Sequence, residues 1–439
     1  MEETEGTSTA AGQEGDDRVT GGSYAFLGFL MFLNVMNFVD RQLLASFSNF
    51  IVPDLELSNT QFGLLTGLVF LTFYSIAGLF MGTLADRVNR TRFIAIGLGL
   101  WSVLTAASGA ARGFISMALP RMFIGVGESI MTPTAMSLLA DRFPSHRLGF
   151  ASGVYYMGVP IGVGASLLVV GYLGPAIGWR NCFYLLGALG IFFAIIMYFI
   201  PETPRKHVLA AGESHQTFGQ IMKTLGTALR NSPALVMTIG GGVAFHFILG
   251  AATFDQLWYV QERGFDKAEI AQITGWIGIL GGIAGNLFGG LGGDWFLRKT
   301  GIGRPMFLFI IMLVLAPINV AYRLVEPDSV VFWIGVFTGF FQLGCFYGPT
   351  FSTVQELVPP QIRATVVAFY ILLLNMAGVA IGVSAAGFYV DHLIAAGDPQ
   401  PYTTALLWFT GISFLAIPLF FFAGRRFDQD RARLYASME

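Results

Sequence analysis

A nine-residue segment that occurs twice constrains the fold of this chain more than any other feature. Residues 82–90 read Gly-Thr-Leu-Ala-Asp-Arg-Val-Asn-Arg, and residues 290–298 repeat the Gly, the acid and the final Arg at the same spacing. The copies lie 208 residues apart (290 − 82), and two capping boxes that begin at Ser58 and Asp266 share this offset. A duplication across half of a membrane protein predicts two homologous helical bundles, as in many secondary transporters.

Long apolar segments predict helices that cross a membrane. The chain is 54% hydrophobic and 12% charged, with a mean hydropathy of +0.65, whereas a soluble domain carries about 25% charged residues. The segments are long enough to span a bilayer as helices, and they lack the alternation of barrel strands. We predict an all-α membrane protein of twelve spans in two six-helix bundles, at 24–50, 59–84, 92–111, 116–139, 149–173, 180–200, 233–260, 268–293, 303–323, 330–354, 364–390 and 402–424.

The positions of the cations predict the orientation. Most of the 25 Lys and Arg residues fall in segments on the side of the N-terminus. The opposite side receives only five, which are Arg112, Arg180, Arg263, Lys267 and Arg323. Because cytoplasmic loops are enriched in Lys and Arg, both termini are predicted to be cytoplasmic.

The polar segments divide the chain into domains. Residues 1–22 are acidic and lack the apolar core of a signal peptide, so they are predicted to be a disordered cytoplasmic tail, and 425–439 are predicted to be a second cytoplasmic tail. The bundles occupy 23–200 and 233–424, and a linker of residues 201–232 joins them. Apolar residues of the linker recur at helical spacing, which predicts an amphipathic helix at the membrane surface. We expect a monomeric, multi-pass protein of the inner (plasma) membrane.

Four charged residues fall inside predicted spans of the first half. Asp40 and Arg41 lie on the first span, and Arg121 and Glu128 lie on the fourth. Because ionisable groups are costly in hydrocarbon, they are functional candidates by default. Arg121 and Glu128 are seven residues apart and share a helix face, about 10 Å apart along the axis, so each is expected to find a partner on the first span. The alternative interpretation is that these four residues have a purely structural role and only hold the first and fourth spans together.

The four charges suggest a mechanism of competition. Asn34, Asn37 and Arg41 form a polar stripe at helical spacing on the first span. An Arg can hold a phosphate or carboxylate through two hydrogen bonds. We predict that ionised Glu128 and Asp40 neutralise the arginines, and that protonation frees an Arg for the substrate, which couples the two binding events.

The second half offers fewer candidates. His246 is interpreted as a core histidine, and Asp255 as a carboxylate near the outer end that reaches water. Cys182 and Cys345 lie far apart in apolar spans without metal-ligand spacing, so no metal site is expected. No nucleotide-binding motif or nucleophile–base arrangement is apparent. We therefore expect no enzyme activity, no nucleic-acid partner and no cofactor, with a proton gradient as the energy source.

Two further patterns concern packing. Glycines recur along one side of the eighth span, which predicts close helix packing, at Gly278, Gly282, Gly285 and Gly289. Aromatic residues cluster on the tenth span and suggest an apolar cavity wall, at Phe340, Phe341, Phe346, Tyr347 and Phe351.

Residues 82–90 resemble the loop between helices 2 and 3 of the major facilitator superfamily, although Asn89 replaces the last Gly of its pattern. Residues 34–41, with Asn-x-x-Asp-Arg, and 120–129, with Arg-x3-Gly-x-Gly-Glu, are similar to helices 1 and 4 of the Spinster family. Spinster members transport lysolipids, and vertebrate members export sphingosine-1-phosphate. The resemblance implies an alternating-access transporter of an amphipathic anionic lipid, and the buried acids predict that it is proton-coupled. The absence of a signal peptide and the compact loops suggest a bacterial member. Transport of small organic anions, such as carboxylates or sugar phosphates, is the alternative.

The superfamily resemblance also implies a role for the repeated motif. In that family, the acid and the neighbouring Arg clamp the bundles at the inner gate and stabilise the outward-facing state. The residues concerned here are Asp86, Arg87, Arg90, Asp294 and Arg298. An acid at such a position can pair with an Arg or with the positive end of a helix.

Overall fold

A computed structural model describes residues 21–85, 87–205 and 218–436. Asp86 and most of the predicted tail at 1–22 lie outside the described residues. The regular structure of the described ranges is helical.

The first half of the chain forms spans 1 to 6. Span 1 comprises α1 and α2, span 2 α3 and α4, span 3 α5, span 4 α6 and α7, and span 5 α8 and α9, while α10 supplies span 6. Their bounds are α1 Gly21–Ser46, α2 Ser48–Asp54, α3 Asn59–Thr66, α4 Leu68–Ala85, α5 Arg90–Gly109, α6 Phe114–Glu128, α7 Met131–Arg142, α8 Ser145–Tyr156, α9 Gly158–Leu168 and α10 Gly174–Phe199. A π-helical turn, Val169–Leu173, joins α9 to α10.

The second half forms spans 7 to 12 after a linker helix, α11. Span 7 comprises α12 and α13, span 8 α14, span 9 α15, span 10 α16, span 11 α17 and α18, and span 12 α19 and α20. Their bounds are α11 Phe218–Asn231, α12 Pro233–Ala251, α13 Asp255–Gln261, α14 Lys267–Thr300, α15 Arg304–Leu324, α16 Val330–Glu356, α17 Arg363–Leu373, α18 Ile381–Ala395, α19 Pro401–Ser413 and α20 Ala416–Ala436. Span 11 contains a π-helical segment, Leu374–Ala380.

Twelve membrane crossings follow from these helices. Eleven helical segments of the described ranges are long and apolar enough to cross a membrane, and one of them, 146–199, has 54 residues. A single helix of that length would extend about 80 Å, far beyond a hydrocarbon core of about 30 Å. Gly178 interrupts it with φ of +79°, a conformation that glycine adopts readily. The segment therefore supplies both span 5 and span 6, as predicted.

The predicted capping boxes begin helices in both halves. Ser58 accepts a hydrogen bond from the backbone of Gln61, whose side chain accepts one in return from the backbone of Ser58. Asp266 accepts from the backbone N–H groups of Ala268 and Glu269. These hydrogen bonds hold the pKa of the Asp266 carboxyl below its ordinary value.

The linker helix and the end of span 12 pack onto the second bundle. Leu225 of α11 is buried in a core with residues of spans 7 and 11. Helix α20 continues to Ala436, so most of the predicted tail at 425–439 is helical. Asp430 is buried there because its carboxylate accepts a hydrogen bond from the backbone of Ala234 at the start of α12.

The two bundles contact each other most extensively at the end predicted to be extracellular, here called the outer end. One apolar core crosses from bundle to bundle there, through residues such as Phe62 and Phe254. At the other end, here called the inner end, there are two apolar cores. One consists almost entirely of residues of spans 1 to 6, and the other consists of residues of spans 7 to 12 and the linker helix. Hydrogen bonds between the bundles also lie at the outer end, as from Gln272 to the carbonyl of Gly171.

Close backbone approach explains the glycines of span 8, though on two faces rather than one. Gly285 and Gly289 pack against the backbone of span 10, at Phe341 and Cys345. Gly282 instead faces Pro160 of span 5, in the other bundle. The predicted small-residue stripe thus serves both packing within the second bundle and contact between bundles.

Candidate functional site

A cavity of about 270 Å³ lies between the two bundles, and we call it the central cavity. Span 1 lines it with Phe38 and Arg41, and span 7 lines it from the opposite side with Asp255 and Tyr259. Further polar residues in its wall are Gln42, Thr66, Ser166, Gln256, Thr274 and Asn375. The cavity therefore has a cation on one wall and an acid on the other.

Arg41 connects the central cavity to the buried charges behind it. Its side chain is 17% exposed, and its Nε lies 3.3 Å from Oε2 of Glu128, which is fully buried. The guanidinium also lies over the ring of Tyr74, 4.1 Å from the centroid. Such a contact attracts the cation to the ring face. Arg41 is thus held by a carboxylate and a ring, and its side chain is partly exposed at the wall of the cavity.

The remaining charges of the first half are buried between spans 1 and 4. Arg121 donates a hydrogen bond of 3.3 Å from Nη2 to the backbone carbonyl of Arg41. Asp40 lies within electrostatic range of Arg121 and Glu128. Glu128 and Arg121 each find a partner on span 1, as the seven-residue spacing predicts. The structure therefore brings Asp40, Arg41, Arg121 and Glu128 into one cluster, here called the charge cluster.

Several polar atoms of this region have no hydrogen-bond partner among the described residues. They belong to the four charged side chains and to the two asparagines of the polar stripe, and they are Asn34 Oδ1, Asn37 Nδ2, Asp40 Oδ1, Arg41 Nη2, Arg121 Nε and Glu128 Oε1. Buried polar groups normally have partners, so a set of exceptions in one place calls for protons, water or a ligand. The Asn34 amide is anchored, since its Nδ2 donates to the carbonyl of Tyr155 at 3.0 Å and joins span 1 to span 5.

The wall contributed by the second bundle is more polar than the sequence indicates. Phe340 and Tyr347 line the central cavity as expected. Phe346 instead packs in the bundle core against Phe245. The π-helical segment of span 11 brings Asn375 to the cavity wall, and such segments often mark functional positions. The wall is therefore mixed rather than apolar.

A buried ion pair in the second bundle is not among the contacts predicted from the sequence. Arg323 is predicted at the outer end of the ninth span and is counted among the cations of the outer side, but its side chain is only 2% exposed and its Nη1 lies 3.1 Å from Oδ1 of Asp255. The last turn of α15 directs this residue into the bundle. Asp255 reaches the cavity, with 23% of its side chain exposed, but it also pairs with Arg323. The sequence feature that could have predicted this pair is the acid inside span 7, because a carboxylate in hydrocarbon needs a cationic partner.

His246 is a core histidine, as predicted. It is 2% exposed, and its Nδ1 lies 2.8 Å from the carbonyl of Gly242. Its Nε2 lies 3.4 Å from the hydroxyl of Tyr347. Cys182 and Cys345 are both free and buried. No cluster of three or more potential metal ligands occurs within 21–85, 87–205 and 218–436.

The residues of the repeated motif take different positions in the two bundles. Arg90 is fully buried and binds Asp141 and Glu202, so it joins the inner ends of spans 3, 4 and 6. Asp294 lies 2.9 Å from Arg304. Arg87 and Arg298 are exposed. Each of these contacts joins residues of the same bundle, and none of them connects the two bundles. The gating role of the motif stays a prediction, and Asp86 lies outside the described residues.

Related proteins are transporters. The chain is 28% identical to an MFS-type efflux pump of Mycolicibacterium smegmatis over 393 residues, and this aligned region covers 88% of each chain. It is 27% identical over 379 residues to the hexuronate transporter of Bacillus subtilis, covering 83% of this chain and 87% of that one. Protein spinster of Drosophila melanogaster is 25% identical over 359 residues, which are 80% of this chain and 59% of that protein.

The fold has a close counterpart among solved structures. A bacterial homologue of the human lysosomal transporter Spinster, in an inward-facing and unoccupied conformation, superposes with a TM-score of 0.80 at 22% identity, covering 94% of this chain and 99% of that one. The sequence profile of the Major Facilitator Superfamily matches residues 30–383. The chain therefore belongs to the Major Facilitator Superfamily of multi-pass membrane transporters, and within it resembles the Spinster proteins.

Proposed function

We propose that this transporter couples the movement of protons to that of an amphipathic anion, with a lysophospholipid or a sphingosine-1-phosphate-like lipid as the first candidate. The observation that carries the proposal is the position of Arg41. Arg41 lines the central cavity, and its Nε lies 3.3 Å from Oε2 of the buried Glu128. A phosphate that enters the cavity would compete with Glu128 for the same donors.

Protonation of Glu128 decides this competition. The neutral acid no longer attracts the guanidinium as an ion, so Arg41 is free to bind the anion of the substrate. Asp40 and Arg121 take part through the charge cluster between spans 1 and 4, because both interact electrostatically with Glu128. A proton and a substrate that each bind better in the presence of the other are coupled thermodynamically.

Transport of a small organic anion is the second candidate. Polar side chains such as Gln42, Thr66 and Gln256 line the central cavity on both sides, and these suit the hydroxyl groups of a sugar acid. The relative that transports hexuronates covers 83% of this chain. Both candidates use Arg41 for the anionic group and differ in what the rest of the cavity binds.

The molecular setting completes the proposal. We propose a monomer in the inner (plasma) membrane. We place both of its termini in the cytoplasm, because most Lys and Arg residues lie on that side. With this orientation, the contacts between the bundles close the outer end. The described conformation then faces the cytoplasm.

The test is transport by purified protein in liposomes with an imposed pH gradient. Lysophosphatidic acid and galacturonate represent the two substrate classes, and protein-free liposomes give the background. We expect flux of the lipid to follow the gradient and to fall when the gradient is collapsed with a protonophore. Gradient-driven flux of galacturonate alone would favour the second candidate, and flux that ignores the gradient would exclude proton coupling.

A further inference from the structure

Asp255 lies between two cavities. Beside the central cavity, a second cavity of about 130 Å³ lies within the second bundle, and we call it the bundle pocket. Asp255 and Tyr259 line both cavities, whereas Arg323 lines only the bundle pocket. The volume of the bundle pocket is several times the roughly 10–15 Å³ that one water molecule requires by this kind of measure. A chemical group larger than water therefore fits beside Arg323.

The guanidinium of Arg323 is only partly used. One hydrogen bond, from Nη1 to Oδ1 of Asp255, joins the pair at 3.1 Å. Its Nε has no hydrogen-bond partner among the described residues, although the side chain is almost fully buried. The rings of Trp258 and Tyr322 flank it, with centroids at 5.0 Å and 4.7 Å. Since a guanidinium offers five N–H donors in a fixed fork, it has donors left for a second acceptor.

The pair repeats the design of Arg41 and Glu128 in the other bundle. In both, an Arg meets a carboxylate through a single hydrogen bond at a cavity wall. Aromatic rings flank both guanidinium groups, and each retains one nitrogen for which the described parts of the chain supply no hydrogen-bond partner. Two such pairs, one on each bundle, give the transporter two places where an anion can replace an internal carboxylate.

Building on the function proposed above, we propose that Arg323 is a second anion-binding residue, at which Asp255 occupies the position of a substrate carboxylate or phosphate until that group arrives. The anion takes over the hydrogen bonds of the guanidinium, and the Asp255 carboxylate turns toward the central cavity, to which it is already partly exposed. No covalent bond changes in this exchange. Asn319 and Gln342, which are hydrogen-bonded to each other at 2.8 Å, supply further polar groups in the pocket.

A purely structural pair would only join span 7 to span 9, so the test needs a signal from the pocket itself. The chain has seven Trp residues, and 5-fluorotryptophan labelling gives each a 19F resonance. Trp258 reports on Arg323, and Trp101, which packs against Gly127 beside Glu128, reports on the charge cluster. Trp258→Phe and Trp101→Phe assign the two resonances. The probes are lysophosphatidic acid and the uncharged monoacylglycerol of the same chain length.

We expect lysophosphatidic acid, but not the monoacylglycerol, to shift the resonances of both Trp258 and Trp101. Asp255→Asn removes the competing carboxylate and should raise the affinity reported by Trp258 about tenfold, within the usual range of such couplings. The double variant Asp255→Asn/Arg323→Gln leaves no unpaired charge, which protects the fold. It should abolish the Trp258 shift and leave the Trp101 shift in place.

The outcomes separate this inference from the proposed function. A Trp101 shift without a Trp258 shift would overturn the second subsite and leave the proposed function standing. No shift at either position would contradict both. If Asp255→Asn lowers the melting temperature without any gain in affinity, the pair is a structural staple and the inference is wrong.

Discussion

Asp391 of span 11 accepts hydrogen bonds from the backbone N–H groups of both Asn59 and Thr60, at 3.1 Å and 2.8 Å. These two N–H groups belong to the first turn of α3, where a helix has no internal partners for them. The side chains of Asn59 and Thr60 donate to the same carboxylate. One acid of the second bundle thus binds the helix N-terminus of span 2 in the first bundle, at the outer end, where negative charge is also favoured by the helix dipole.

Asp391→Asn should weaken the closed outer end. The amide places an NH2 group against N–H donors, and each unsatisfied buried group costs about 1–3 kcal/mol. A shift of about 1.4 kcal/mol changes the population of the outward-open state tenfold. Thr66 lines the central cavity, so labelling of Thr66→Cys by an impermeant maleimide from the outer side should accelerate severalfold, up to about that factor.

Asp328→Asn is the matched control for this measurement. Asp328 is an exposed acid that precedes span 10 at the same end of the molecule. Labelling of Thr66→Cys should be unaffected by it. Equal labelling in the Asp391 and Asp328 variants would mean that the apolar core at the outer end, rather than Asp391, keeps this end closed.

Glu128→Gln should remove the pH dependence of substrate binding. A Gln mimics the protonated acid, so Arg41 remains available to the anion at every pH. In the wild-type protein, binding of lysophosphatidic acid should strengthen as the pH falls. The variant should bind at high pH as well as the wild type binds at low pH. Thermal-shift titrations across pH values measure both affinities.

Glu326→Gln provides the control, because Glu326 is an exposed acid outside the spans. Its titrations should reproduce the wild-type pH profile. A wild-type profile in Glu128→Gln would exclude Glu128 as the proton site and direct attention to Asp40. Loss of binding at every pH would show that the carboxylate positions Arg41 rather than releasing it.

Local patterns were enough to predict the helices and the first charge cluster. Span lengths and capping residues depend on neighbours in the sequence. The contact of Glu128 with Arg41 followed from two facts that a sequence contains, namely the seven-residue spacing to Arg121 and the cost of a charge in hydrocarbon. Each of these required no knowledge of how distant helices pack.

Contacts that depend on tertiary packing were not predictable in this way. Arg323 stands at the end of an apolar span, where an Arg usually marks the membrane surface. Only the rotation of α15 decides that it points into the bundle. Asp391 and Asn59 are 332 residues apart in sequence, and no local pattern relates them. Arg90 and Arg298 occupy equivalent repeat positions, yet one is buried and the other exposed.

Gly285→Ala should destabilise the packing of spans 8 and 10. A Cβ at this position would lie 2.1 Å from the carbonyl oxygen of Phe341, so the helices would have to separate. Overpacking of this kind costs about 1–3 kcal/mol, which outweighs the gain in helix propensity of Ala over Gly. The melting temperature in detergent should fall. Gly290→Ala, which has open space around its Cβ, should leave it unchanged or slightly higher.

Arg90→Gln should destabilise the inner end of the first bundle much more than Arg298→Gln destabilises the second. Arg90 is buried and pairs with both Asp141 and Glu202. Its loss removes both ion pairs and the hydrogen bonds that Arg90 donates to Ser137 and Thr203, at a cost on the order of 3 kcal/mol. Arg298 is exposed and, within the described part of the chain, donates only to the backbone carbonyl of Asp294, at 3.3 Å, so its replacement should stay within about 0.5 kcal/mol. Thermal unfolding of the two variants in the same detergent measures the difference. Equal melting temperatures would mean that the acids around Arg90 find other partners, and that equivalent positions of the repeat contribute equally to stability.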